Sequence, residues 1–111
     1  MRFERGEGFL VVHGAPVPKG SAAITFGNVI LMKKGHDDSK YLLYHELTHV
    51  HQWAALGLIG FGSRYLRDYA AGRLRGRGHW GAYHHIRFEI EADWHARRRL
   101  RDEALASRVA V

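Results

Sequence analysis

The sequence predicts an α+β fold: a small antiparallel N-terminal sheet packed on a motif-bearing helix, with a second and a third helix completing it. Three observations predict it. β-Rich runs crowd the first third of the chain, in Phe9–His13, Ala23–Phe26 and Asn28–Met32. From Lys40 the apolar residues Leu43, Leu47, Val50 and Ala54 recur at helical spacing on one stripe. A further helical run begins near Ile86 or Arg87 and extends to about Ala106. At 111 residues the chain is sized for a single domain spanning 1–111, with a modest core.

Taken in order, Met1–Glu7 is charged and short of apolar residues, so it does not read as a signal peptide, and the predicted strands begin at Phe9. Gly14–Gly20 has two prolines and two glycines and predicts a turn. Gly27-Asn28 predicts a tight turn or a bulge between the two following strands. Asp38 or Ser39 is placed to cap a helix from about Lys40 to about Leu56. The Gly-rich Gly57–Gly62 predicts a turn or kink. A short helix over Ser63–Ala71 follows, with Tyr65, Leu66 and Tyr69 as packing residues. Gly72–Gly81 carries four glycines and three arginines, which predicts a loop. Trp53, Trp80 and Trp94 read first as core aromatics.

Composition excludes several chemistries. The chain has no cysteine, so disulfides, thiolate metal sites and a cysteine nucleophile are ruled out. Any metal must be held by His, Asp or Glu. The absence of cysteine, of a leader-like N-terminus and of an apolar run long enough to span a bilayer sets the expectation of a cytoplasmic protein with no membrane span. The net charge of +6, with the run Arg97–Arg101 and Arg73, Arg75 and Arg77, allows a nucleic-acid partner as an alternative. No recognisable nucleic-acid motif accompanies the charge.

The most informative motif is His45-Glu46-Leu47-Thr48-His49, an H-E-x-x-H pattern inside the first predicted helix. Residues i and i+4 on a helix are about 40° apart around the axis, so both imidazoles reach the same side. Two histidines there can share one zinc ion, Zn2+, and Glu46 beside them can take a proton from zinc-activated water. A catalytic zinc site needs a third protein ligand and an open position. Glu89 and Asp93 share a face of the last helix at i, i+4 spacing. Glu89 is the preferred third ligand, with Asp93 accepting a hydrogen bond from a ligand histidine to fix its ring. Glu91, on another side of that helix, is the alternative ligand.

H-E-x-x-H followed by Glu89-Ile-Glu-Ala-Asp93 resembles the gluzincin metallopeptidase pattern. The order and length of the elements resemble the minigluzincins, single-domain peptidase-like proteins. The likeness covers residues from about 22 to 95. It implies a minimal zincin-like fold in which His45, His49 and Glu89 carry zinc, Glu46 is the general base and Asp93 anchors a ligand histidine. It further implies hydrolysis of a peptide or protein substrate. Only about 20 residues follow Asp93, which sets an expectation of low, narrow or latent activity. The oxyanion of such a reaction needs a donor besides the metal. Tyr83 and His84 are the first candidates, and strand Asn28–Met32 is placed to grip a peptide at a sheet edge. A zinc-retaining binding module without catalysis is the other alternative to an enzyme.

Overall fold

The computed structural model describes residues 1–109 and has the α+β architecture that the sequence predicts. Four strands come first: β1 (Arg2–Gly6), β2 (Phe9–His13), β3 (Ala23–Phe26) and β4 (Val29–Met32). Three helices follow: α1 (Lys40–Leu74), α2 (His79–His84) and α3 (Arg87–Val109).

The sheet is larger and less regular than expected. Its order is β1-β2-β4-β3, with β1–β2 and β4–β3 antiparallel but β2–β4 parallel. The charged N-terminus is therefore a strand. It left no apolar signal because β1 is an edge strand whose first four residues are exposed, Phe3 included. The β3–β4 link is a tight turn rather than a bulge: Gly27, at φ +63°, lets Phe26 pair with Val29. Strand β4, expected at a rim, lies between β2 and β3. The edges are β1 and β3, so the expected peptide grip along Asn28–Met32 is corrected: the backbone of β4 is already paired on both sides.

One face of the sheet meets α1. Val11, Ile30, Met32 and Val50 form the buried cluster, joined by Phe9, Leu43 and Leu47. The apolar stripe of α1 thus docks as its spacing predicts, except Ala54, which is exposed. Of the two candidate caps, Ser39 is used: its hydroxyl accepts from the Leu42 N–H at 3.2 Å.

Helix α1 does not stop near Gly57. It breaks at that one residue, at φ +72° and ψ 174°, and resumes at once to Leu74. Glycine tolerates the left-handed backbone that turns the chain there. The expected turn over Gly57–Gly62 and the separate helix over Ser63–Ala71 merge into this second half. The expected loop over Gly72–Gly81 also shrinks, because its first three residues finish α1 and His79 opens α2. Gly72 is helical for a packing reason: a Cβ there would come 3.0 Å from the Cα and Cβ of Ala82 in α2.

Helix α3 runs back along α1. Its contact face includes Ala92 and Ala96, which are fully buried, as is Ile86 just before its start. Two alanines on that face allow a close approach of the helices. Asp68, on the far half of α1, accepts a hydrogen bond from the Arg87 N–H at the start of α3 (3.2 Å). The kinked α1 therefore clasps α3 at its first turn, where Glu89 sits. Trp80 and Trp94 are about half exposed, unlike the core aromatics expected of them. Among the described residues no helix is long and apolar enough to cross a membrane.

Candidate metal centre and catalytic groups

His45 and His49 lie one turn apart on α1, and Glu89 faces them from the first turn of α3. Each histidine Nε2 is 2.9 Å from the same oxygen, Oε1 of Glu89. The three ligand atoms lie within 4.8 Å of one another. In a tetrahedral zinc site with bonds of about 2.0–2.1 Å, neighbouring ligand atoms stand roughly 3.3 Å apart. A shift of a few tenths of an ångström would bring each histidine nitrogen to that distance from Glu89 Oε1. Glu91, the alternative ligand, is exposed and lies beside His95 instead.

The hydrogen bonds behind the histidines decide which nitrogen is available. Gln52 Nε2 donates to the Phe88 carbonyl (3.2 Å), which turns its Oε1 toward His49. An amide oxygen only accepts, so His49 Nδ1 carries the proton of their 2.8 Å bond. Tyr41 gives its single hydroxyl proton to Asp93 Oδ1. Its oxygen is left to accept from His45 Nδ1 across a long 3.5 Å contact. With both Nδ1 atoms protonated, a neutral ring presents an Nε2 lone pair to Glu89. Two lone pairs and a carboxylate oxygen converge, and only a cation among them, a proton or a metal ion, makes that arrangement favourable. The donor set fits a divalent metal that takes nitrogen and oxygen ligands.

Asp93 acts differently from the expectation. Its carboxylate reaches His45 through the Tyr41 hydroxyl rather than directly, and Arg97 Nε donates to both its oxygens at 3.0 Å. Burial opposes ionisation of Asp93, but Tyr41 and Arg97 outweigh it and hold the carboxyl below its ordinary range. Tyr41 is pushed up to about 12 by burial and by Asp93, so it remains a proton donor. Arg97 also lies over the Tyr41 ring, Arg98 over Trp94 and Arg99 over Tyr44. Much of the arginine run is thus engaged within the fold.

Glu89 is buried at 6% exposure. Burial pushes its carboxyl up, but the hydrogen bonds of His45 and His49 prevail and hold it well below the usual carboxylate range. Its second oxygen accepts from the Tyr65 hydroxyl at 2.9 Å. Tyr65 and Tyr83 are both pushed up, first by burial and then by the Glu89 charge. Both phenols therefore stay protonated.

Glu46 is also buried, at 5% exposure. Thr25 of β3 donates to its Oε1 at 2.9 Å. Burial raises the Glu46 carboxyl and outweighs the opposing pull of His49, His45 and the Thr25 hydrogen bond. Glu46, His49 and Glu89 form the floor of a cavity of about 560 Å3 that Tyr83 also lines. His84 does not line it. That ring is exposed, beside Tyr83 and Trp80 on the outside of α2.

The structure thus brings together His45, Glu46, His49, Glu89 and Tyr83, places Asp93 one residue removed, and leaves His84 outside. Tyr41, Gln52, Tyr65 and Thr25 complete the site. Of these, Gln52 and Tyr41 had a sequence signal, since both share the helix face of His45 and His49. No protein-family model, curated protein or solved structure matches the chain.

Proposed function

We propose that this protein is a zinc-dependent peptidase of gluzincin type, with His45, His49 and Glu89 as ligands and Glu46 as general base. The observation that supports the reading is the pair of imidazoles whose Nδ1 protons are fixed by Gln52 and Tyr41, so that both Nε2 atoms converge on one oxygen of Glu89. Zinc bound there would supply Lewis acidity, polarising a carbonyl and bringing the pKa of water toward neutrality.

The protein groups divide the remaining work. Thr25 occupies Glu46 Oε1, so Oε2 takes the proton from water and delivers it to the leaving amine. Burial raises the proton affinity of Glu46 and suits it to that transfer. The Tyr83 phenol, kept protonated, is the donor toward the developing oxyanion. Tyr65 holds Glu89 Oε2 and leaves Oε1 to face the histidines. Tyr41, with Asp93 behind it, orients His45, and Gln52 orients His49.

The test begins with metal analysis of protein prepared without chelator and then supplied with micromolar zinc. One zinc per chain, lost in His49→Ala, is expected. Digestion of a mixed peptide pool, read by mass spectrometry, should then show cleavage that Glu46→Gln abolishes while zinc stays bound. Failure to bind zinc sinks the whole reading. Zinc binding with no cleavage of any peptide rejects the enzyme and leaves a metal-binding module.

A further inference from the structure

The cavity above the ligand cluster has a chemical character of its own. Beyond its floor of Glu46, His49 and Glu89, Lys19 is the only acidic residue, lysine or arginine in the described lining. The walls are aromatic. Trp53 and Phe61 meet across the Gly57 kink with ring centroids 4.6 Å apart, and Tyr65 follows Phe61 at 5.6 Å. Phe61 is held from behind by Phe88, stacked at 4.9 Å and 15°. This wall is therefore fixed by packing.

The opposite wall is Trp80 of α2. Its indole leans across to the β2–β3 loop: a Cβ on Gly20 would lie 2.9 Å from Trp80 Cζ2. Gly20 itself has φ +89°, a conformation that suits glycine. The ring is nevertheless 49% exposed, so a large apolar surface is positioned by the fold yet left half uncovered at the mouth of the cavity. Half-uncovered aromatic surface in a concave apolar site gains most from an apolar occupant.

We propose that this cavity receives a bulky apolar side chain of the substrate, aromatic or branched aliphatic, beside the bond presented to Glu46. Trp80, seated on Gly20, is the residue that determines this specificity. The inference rests on the peptidase reading and names its substrate class. Small side chains leave the Trp80 face wet, and charged ones are desolvated among rings, with Lys19, itself exposed, the one charged side chain besides the floor.

The experiment uses zinc-loaded Glu46→Gln protein and capped hexapeptides of Gly and Ser that differ at one position, Phe, Ala or Asp. Affinity is read by calorimetric titration. Burial of a Phe side chain predicts that the Phe peptide binds about tenfold to a hundredfold more tightly than the Ala peptide, with the Asp peptide weakest. Adding Trp80→Ala should cut the Phe-to-Ala ratio to about threefold or less, with zinc content and helical circular dichroism unchanged. Gly20→Ala, which must displace the indole, should reduce the ratio in the same direction. Equal binding of the Phe and Ala peptides overturns the proposal, as does a preference that survives Trp80→Ala. Turnover by the unaltered protein separates the two readings. A Phe preference without turnover rejects hydrolysis and keeps the cavity as a side-chain receptor. Turnover without side-chain preference keeps the peptidase and rejects the cavity's role.

Discussion

Gln52→Leu tests the proposed metal centre at a residue that is not itself a ligand. Gln52 is 7% exposed and bridges two elements, accepting from His49 Nδ1 at 2.8 Å and donating to the Phe88 carbonyl at 3.2 Å. Leucine fills similar space but leaves both partners without their hydrogen bond. Each buried group left unpaired costs about 1–3 kcal/mol, so with two of them the metal-free protein should lose roughly 2–6 kcal/mol of stability in urea titrations. The larger consequence is chemical: nothing then holds the His49 proton on Nδ1 or its ring in the plane that aims Nε2 at Glu89. Loss of such a contact typically weakens metal binding about 10–100-fold, equivalent to about 1.4–2.7 kcal/mol. Competition against a chromogenic chelator at neutral pH measures the affinity directly. Gln52→Glu keeps an acceptor for His49 and should recover most of it, although the bond to Phe88 is lost. If the leucine variant is folded and binds zinc as tightly as the unaltered protein, the proton placement inferred for His49 is wrong.

Three further outcomes are expected. Glu46→Gln should raise the melting temperature of chelator-treated protein at neutral pH, because it removes a charge buried at 5% exposure. The Glu46 carboxyl is raised in the folded state, so its ionisation weakens folding as pH climbs through that raised value. The stability gain should accordingly vanish in melts carried out below the ordinary carboxyl range near 4.5, where both side chains are neutral. Gly72→Ala and Gly62→Ala should move in opposite directions. The first drives a methyl to 3.0 Å from Ala82 and should cost about 1–3 kcal/mol, whereas the second meets nothing within 4 Å and should gain up to about 1 kcal/mol of helix propensity. Calorimetry of the two variants checks both signs. Finally, zinc at 100 times its dissociation constant should stabilise the protein by about 2.7 kcal/mol, and the gain should disappear in His49→Ala. An equal zinc-induced shift in that variant would point to binding elsewhere.

The ligand motif was legible because it is local. His45 and His49 need only a helix to share a face, and Leu43, Leu47 and Val50 declared that helix. Glu89 was legible through its spacing to Asp93, and the exposure of Glu91 removes the alternative. Strand β1 was hidden because an exposed edge strand has no apolar alternation to read. The parallel pairing of β2 with β4 was hidden because strand order depends on contacts between distant segments. His84 and Tyr83 are neighbours in sequence. Only the placement of α2 against Gly72 turns one phenol inward and leaves the imidazole outside.

Sequence alone determined the helix that carries H-E-x-x-H, the identity of the groups able to bind a metal and the absence of sulfur ligands, since each follows from residue type and from a period of a few residues. Tertiary structure decided which hydroxyl meets which carboxylate: Tyr41 on Asp93, Tyr65 on Glu89 and Thr25 on Glu46. Those pairings span 52, 24 and 21 residues. Two of them require α3 or β3 to pack on the first half of α1, and the third requires the single left-handed residue Gly57 to redirect its second half. Periodicity fixes the face of one helix, whereas the meeting of two faces depends on how the intervening chain turns and what it buries.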